Sequence, residues 1–599
     1  MSNDKREQSL PVDAERLRAR YEAERNKRIN SAGTDQYIFA EGKFAEFADD
    51  PYAGPPTPRA ALQEDLDILV IGAGFGGLQL GAALRHENIG NFRVLDVAAD
   101  FGGTWYWNRY PGLRCDVESY IYLPLLEETG YVPTERYVRG NEIFAYCQFL
   151  GRHFDLYERA LFQTKVTGME WDENAARWIV TTTRGDVFRA RFVTTQSGIF
   201  SRPQLPGVRG IEDFEGHAFH SARWDYEYTG GAGEGGLDKL ADKRVGIIGT
   251  GTTALQVVPE VARYAKEVTI FQRTPTAVGV RGNAPTDMEW FKSQTPGWQQ
   301  QRIDAFNRLA NGEEVVTDID DGWVRFFRKM INSVKSLPGE STPGQIDEAQ
   351  EIADFEYNEI IRSRVDDLVK VPEKADLLKA YYRTMCKRPG FSDEYLPVFN
   401  QEHVKIVDVS GGIDRITKKT VVVNGLDHEV DCLIFCTGFE LGTTWTHQAG
   451  YEVIGKDGRK LSDKWENGLL TYHGLFSHGF PNIFFMGLTQ TGITINVPHM
   501  LKEQINHLVF VVKHCLVNDV RTVEATQEAE DEWQKEMASV AEARRPFQES
   551  CTPGYYNAEG RVDDHRSAIG TGWYLPSTRF FDMWQDWRKD GEFQGLEMK

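Results

Sequence analysis

Leu66-Asp-Ile-Leu-Val-Ile-Gly-Ala-Gly-Phe-Gly-Gly77 is the stretch that decides the fold. Its first six residues are mainly apolar and β-branched, as a parallel strand buried on both faces requires. They run directly into Gly72-x-Gly74-x-x-Gly77, and Leu78 to Leu84 continue as a helix-like segment. Gly72 permits the tight turn, Gly74 lets the backbone reach a pyrophosphate, and Gly77 lets helix and strand pack closely. The helix N-terminus then faces the phosphates. A second strand, Phe92 to Leu95, ends at Asp96, where a carboxylate can bond the diol of an adenosine ribose. Glycines alone are a weak signal; strand, loop, helix, strand and acid together are a strong one.

The pattern recurs later in the chain. Arg244-Val-Gly-Ile-Ile248 leads into Gly249-Thr-Gly251-Thr252-Thr253-Ala254, with Gln256 on the helix that follows. Val268-Thr-Ile-Phe271 is its second strand, and Arg273 stands at the same offset from Gly249 as Asp96 does from Gly72. An acid there suits an unmodified ribose, whereas an arginine suits a 2′-phosphate. The chain therefore reads as an α/β protein with two Rossmann-like, dinucleotide-binding domains for two different dinucleotides, one of them NADPH. Thr250 to Thr253 form the second cradle, and Thr274 adds a phosphate contact.

Composition fits this reading. A chain of 599 residues is long enough for two or three domains. A formal net charge of −21 argues against nucleic acid as a partner, since phosphate backbones call for a basic surface. The seven cysteines are scattered and form no Cys-x-x-Cys pair, so neither a disulfide framework nor a zinc site is expected, and no metal is assigned. No apolar run approaches the ~20 residues of a membrane span. The polar N-terminus, with acids and bases mixed, is unlike a signal or transit peptide, and the expected location is the cytoplasm.

In order, residues 1–60 read as an extension and linker. Asp13 to Arg28 is a charged amphipathic helix with Leu17 and Tyr21 one turn apart, and Pro51 to Pro58 is a linker. The extension is expected to pack on the body as a surface arm. Residues 61–213 read as the first part of the first nucleotide domain, 214–240 as a connection, and 241–400 as the second nucleotide domain with a helical insertion at about 285–380. Residues 401–599 complete the second domain, return to the first and end on the substrate side. In the connection, His220 and Trp224 are spaced to share a helix face.

Three stretches carry a family resemblance. Phe214-x-Gly216-x-x-x-His220-x-x-x-Trp224-Asp225 resembles the fingerprint of the Baeyer–Villiger monooxygenases. Gly102-Gly103-x-Trp105-x-x-x-x-Tyr110-Pro111-Gly112-x-x-x-Asp116 resembles the family's longer pattern at every fixed position. Lys387-Arg388-Pro389 resembles its late basic pair. The resemblance implies FAD in the first domain and NADPH in the second, with O2 and a small-molecule ketone as the other reactants. One oxygen is inserted beside the carbonyl to give an ester or lactone. It places Thr104, Trp105, Asp116, Tyr122 and Val166 around FAD, and Arg114 and Asp116 near the nicotinamide. Lys387 falls on the 2′-phosphate and Arg388 over the flavin as the catalytic cation, held by Asp116. The fingerprint residues Phe214, Gly216, His220, Trp224 and Asp225 are implied to couple the two domains. The long N-terminal extension resembles that of members acting on bulky cyclic, macrocyclic or polycyclic ketones. A monomer or homodimer is expected.

The residues also suggest related patterns with differences. Phe192 to Gly198 reads Gln196-Ser197-Gly198 where related flavoproteins carry Ala-Thr-Gly, and Cys436-Thr437-Gly438 is the second such crossover. Cys551 to Gly560 stands where relatives have a mobile loop near the substrate. An N- or S-oxygenating flavin monooxygenase is the alternative; its fingerprint usually ends in Tyr or Phe where this chain has Trp224-Asp225. A disulfide reductase needs a cysteine pair beside the flavin, and Cys432 and Cys436 have neither its spacing nor its place. A non-catalytic nucleotide-binding scaffold is disfavoured by Lys387, Arg388 and the Asp96/Arg273 contrast.

Overall fold

A computed structural model of the chain describes residues 12–196, 198–564 and 576–599. Ser197, one of the crossover substitutions, lies outside the described residues, as do residues 1–11 of the extension.

Two large sheets carry the molecule. The first has eight strands. At its centre Gln63–Ile71 lies parallel to both Phe92–Leu95 and Val187–Thr195. The strand Val187–Thr195 divides its other edge. Its first half pairs antiparallel with Arg177–Thr182, and its last residues pair parallel with Ile483–Phe485. Chain from beyond residue 480 thus returns to complete the first sheet. The near-continuous burial of Leu66, Ile68, Leu69 and Val70 is what a central parallel strand covered on both faces demands.

The second sheet has five parallel strands in the order Val404–Asp408, Glu267–Gln272, Arg244–Ile248, Cys432–Phe435, His217–His220. Each sheet feeds a helix from its glycine loop: Phe75–His86 in the first and Thr252–Ala262 in the second. Gly77 shows why the spacing is obligatory, since a Cβ there would lie 2.1 Å from the carbonyl oxygen of Gly72. Gly249 adopts φ 107°, where a side chain would be strained, and its Cβ would lie 2.3 Å from the Cys436 carbonyl oxygen.

Five helices, Met288–Lys292, Trp298–Ala310, Gly322–Lys335, Pro343–Leu368 and Pro372–Leu378, stand between the short strands Val278–Gly279 and Gly390–Phe391, which pair with each other. The helix Ala14–Asn26 starts on an Asp13 cap and buries Tyr21 against Phe355 and Tyr381. No helix among the described residues is long and apolar enough to cross a membrane.

Two expectations are corrected here. His220 and Trp224 do not share a helix face. His217–His220 is an edge strand of the second sheet, and Ser221–Arg223 is a 3₁₀ turn; pairing with Cys432–Phe435 overrides the local spacing. The cysteines do form a disulfide, Cys386–Cys551. Its partners are 165 positions apart, so no local spacing could announce it.

Candidate active site

The first glycine loop, the second glycine loop and the aromatic stretch from Gly102 to Asp116 open onto one cavity of about 1980 Å³. Gly72, Gly74, Asp96, Thr104, Trp105, Asp116, Tyr122 and Val166 all line it, and so do Arg114, Gly249 to Thr253, Gln256, Arg273, Thr274, Lys387 and Arg388. Gly77 does not; it packs beneath the loop. The helix Val497–Val517 points its first turn into the same space through Val497, Pro498 and Leu501, which brings positive dipole potential to the cavity.

Asp96 sits at the tip of its strand and accepts from the N–H groups of Ala73 (2.5 Å) and Ala98 (2.8 Å). Burial raises its pKa against those backbone bonds. Trp105 and Phe75 pack edge-on against Tyr122, with centroids 5.7 and 5.8 Å away. Thr250 Oγ1 donates to the Thr274 carbonyl (2.6 Å), which ties the second glycine loop to the end of its neighbouring strand. Gln256 accepts from Tyr110 Oη (3.0 Å) and donates to the Arg114 carbonyl (3.0 Å). It thereby joins the aromatic stretch of the first half to the second nucleotide loop. The Arg114 guanidinium is engaged by Glu135 and by the Tyr137 carbonyl.

Two orphaned atoms test the fit of a dinucleotide at each loop. Gln196 Oε1 and Thr274 Oγ1 are buried on the cavity wall without a hydrogen-bond partner among the described residues. An unmet buried polar atom carries a penalty of about 1–3 kcal/mol, and a ligand rich in donors and acceptors relieves it. An added Cβ at Gly251 would meet nothing within 4 Å, so the backbone there is open to close approach. The residues fit the two dinucleotides.

The catalytic candidate is built from three elements. Asp116, at the end of the aromatic stretch, lies 3.5 Å from Arg388 and 3.1 Å from Arg281. Arg281 was not singled out from sequence. It is buried, and donates also to the carbonyls of Phe391 (2.7 Å) and Cys115 (3.2 Å). Trp323, from the helix Gly322–Lys335, donates to the Asp116 carbonyl (3.2 Å) and lies under the Arg388 guanidinium, 5.9 Å from its centroid. Burial opposes the charge on Arg388, but Asp116 together with Tyr556, Tyr555 and Cys115 outweighs it and the pKa is raised. Arg388 is therefore a permanent cation facing the cavity.

Part of the cavity lining is apolar. Phe326, Phe327, Met330 and Ile331 come from one helix, and Leu488 and Ile493 from the segment before Val497. Trp290, Trp298 and Phe306, read from the same helical region, do not line it. Tyr555 and Tyr556 do, in the loop that the disulfide joins to the turn before Lys387. Cys386 does not line the cavity.

The fingerprint residues stay out of the cavity. Asp225 caps a short helix by accepting from Tyr228 N–H (2.9 Å) and also meets His217 Nε2 (2.9 Å). Trp224 Nε1 donates to Thr229 Oγ1 (3.0 Å), and its backbone N–H to Tyr52 Oη (3.0 Å). Gly216 leaves room for the Phe214 ring, which an added Cβ would strike. His220 accepts from Ala222 N–H (3.1 Å), and burial, with Arg223 adding to it, pushes its pKa down to about 3. It is neutral at working pH and does not serve as an acid.

The family description "Pyridine nucleotide-disulphide oxidoreductase" matches residues 69–288. The chain is 46% identical to the neopentalenolactone D synthase of Streptomyces avermitilis, over 98% of this chain and 100% of that one. It is 44% identical to the Baeyer-Villiger monooxygenase ATR8 of Stachybotrys chlorohalonatus, over 99% and 95%. Among solved structures, a polycyclic ketone monooxygenase from Thermothelomyces thermophila superposes with a TM-score of 0.89 at 36% identity, covering 98% of this chain and 99% of that chain. With its two nucleotide loops, its Asp116–Arg388 pair and relatives matched end to end, the chain belongs to the Baeyer–Villiger monooxygenases, the FAD- and NADPH-dependent enzymes that insert one oxygen atom beside a ketone carbonyl.

Proposed function

We propose that this chain oxygenates bulky cyclic or polycyclic ketones to lactones, with Arg388 as the residue that handles the carbonyl oxygen. One observation carries the proposal. A permanently charged guanidinium opens onto a cavity that Phe326, Phe327, Met330, Ile331, Leu488 and Ile493 also line. Apolar side chains with a few placed polar groups are how a site holds a large hydrophobic ketone in one orientation. The names of the solved neighbours, a polycyclic ketone monooxygenase and a steroid monooxygenase, agree with that class.

FAD, once reduced by NADPH, supplies the activated oxygen when bound. The chain's own residues do the rest. Gly72, Gly74, Asp96, Thr104, Trp105, Tyr122 and Val166 hold FAD. Gly249 to Thr253, Gln256, Arg273, Thr274 and Lys387 hold NADPH, with Arg114 and Asp116 beside the nicotinamide. Arg388 donates to the substrate's carbonyl oxygen as negative charge develops there, in a site shielded from water where such donors act strongly. Asp116 fixes the guanidinium and balances its charge, and Arg281 fixes Asp116 from the other side. Phe214, Gly216, His220, Trp224 and Asp225 hold the second sheet against the aromatic stretch and couple the two halves. The enzyme works in the cytoplasm as a monomer or homodimer, with O2 and the ketone as its partners.

Lys387 gives this assignment a pH signature. Burial, with Arg273 adding to it, pushes its pKa down to about 8. Below that pH the ammonium attracts a phosphate dianion; above it the amine is neutral. Preference for NADP+ over NAD+ is expected to fall as pH rises through about 8, with proton uptake on NADP+ binding above that pH. Calorimetry in buffers of different ionisation enthalpy checks both.

The reaction itself is tested by mass analysis of products from the FAD-loaded enzyme with NADPH, O2 and ketones from cyclohexanone to a steroid. A product one oxygen heavier than its ketone, favoured for the larger rings, is the expected outcome. Consumption of NADPH with hydrogen peroxide as sole product across the ketones overturns the substrate class and moves the search to amines and sulfides.

A further inference from the structure

Arg273 offers only part of its guanidinium to a ligand. Its Nη1 donates to Gln36 Oε1 (3.3 Å) and Tyr37 Oη (3.2 Å). Glu559 Oε2 lies 3.1 Å from the same nitrogen, within ion-pair reach. Tyr37 in turn donates its hydroxyl to Glu559 Oε1 (3.0 Å), and Arg28 Nε donates to the Arg273 carbonyl (2.7 Å). Nε and Nη2 of Arg273 make no hydrogen bond among the described residues. The side chain is 32% exposed and lines the cavity.

The residues on Nη1 come from neither nucleotide-binding sheet core. Gln36 and Tyr37 belong to the N-terminal extension, where Tyr37–Phe39 pairs with Gln204–Pro206. Glu559 belongs to the loop that opens at Cys551. That loop is pinned at its start by the Cys386–Cys551 bond and by Lys387 Nζ, which donates to the Pro553 carbonyl (2.8 Å). Glu559 itself is buried, so its carboxylate is a fixed group and not a solvated one.

We propose that Glu559 and Tyr37 are positioning residues for recognition of the dinucleotide 2′-phosphate. They occupy Nη1 and so turn the Nε–Nη2 edge of Arg273 toward the cavity as a two-pronged donor. A guanidinium binds a phosphate best through two parallel N–H groups in a fixed fork, and a side chain already held loses less freedom on binding. The Glu559 carboxylate also opposes a dianion by charge. It lies against Nη1, away from the open edge, so the gain in orientation exceeds the repulsion. The inference rests on the reading of Arg273 as the 2′-phosphate reader.

Direct binding to the FAD-loaded enzyme separates these effects. NADP+, NAD+, 2′,5′-ADP and 5′-AMP are titrated by calorimetry into the wild type, Glu559→Gln, Tyr37→Phe and Arg273→Ala. Glu559→Gln is expected to weaken NADP+ and 2′,5′-ADP about ten-fold, as the ion pair that orients Arg273 is lost, while NAD+ and 5′-AMP stay within about two-fold. Tyr37→Phe shifts the same pair in the same direction and carries the test if Glu559→Gln fails to fold. Tighter binding of 2′,5′-ADP to Glu559→Gln overturns the inference, because charge repulsion then dominates. Equal losses for phosphorylated and unphosphorylated nucleotides overturn it too, since Glu559 is then a general brace. If Arg273→Ala loses the preference for NADP+ and Glu559→Gln and Tyr37→Phe keep it, this inference alone falls. If Arg273→Ala keeps the preference, the reading of Arg273 falls with it.

Discussion

Replacing Arg388 by alanine is expected to leave FAD bound and NADPH slowly oxidised while ester or lactone formation falls ~10²–10³-fold. The size follows from what is lost. The guanidinium faces the cavity as a permanent cation 3.5 Å from Asp116. Lys387 is turned away, its ammonium donating to Pro553. Arg281 is spent on Asp116 and on backbone carbonyls. The cofactor loops are distant in sequence and do not depend on Arg388, so an unchanged flavin spectrum separates a chemical defect from a folding one. The decisive readout is the ratio of hydrogen peroxide to oxygenated product. Wild-type product yield from the variant would end the assignment. Arg388→Lys keeps the charge but not the fork, and is expected to recover only part of the loss.

Removing Asp116 strikes stability as well as chemistry. Its side chain is 3% exposed and that of Arg281 7%, so Asp116→Ala leaves a buried guanidinium without its counter-charge. Breaking one partner of a buried pair costs about 3–5 kcal/mol. The thermal midpoint of the FAD-loaded protein should drop by several degrees, and oxygenation should fall because Arg388 loses its anchor. Asp116→Asn keeps an acceptor for both arginines and should lose less. A midpoint unchanged in Asp116→Ala would mean that the carbonyls of Phe391 and Cys115 satisfy Arg281 unaided, and the anchoring role would be wrong.

Much of this was readable from the residues because backbone geometry restricts what can stand in a nucleotide loop. Gly72, Gly77 and Gly249 have no substitutes where carbonyls approach to within 3 Å of the place of a Cβ. Asp96 and Arg273 were legible for a related reason: a strand of fixed length delivers its last residue to a fixed place. What escaped has no local pattern. Arg281 is a single arginine in Val-Arg-Gly-Asn, and only the folded chain sets it against Asp116. The Cys386–Cys551 bond closes across 165 positions, beyond any spacing rule. His220 and Trp224 misled because helical spacing is a local signal, and an open sheet edge beside Cys432–Phe435 exerted the stronger, non-local one. The extension packs on the body as expected, and it also reaches Arg273 through Arg28, Gln36 and Tyr37, contacts its charged composition conceals.

The contact between Tyr37 and Glu559 spans 522 positions. A ribosome adding about 5–20 residues per second leaves Tyr37 waiting roughly 30–100 s for its partner. In the later part of that interval the nascent chain holds both glycine loops, yet the corner beside Arg273 lacks a wall. On the proposed reading of Arg273 and Glu559, discrimination between the two nicotinamide dinucleotides is among the last properties the growing polypeptide acquires.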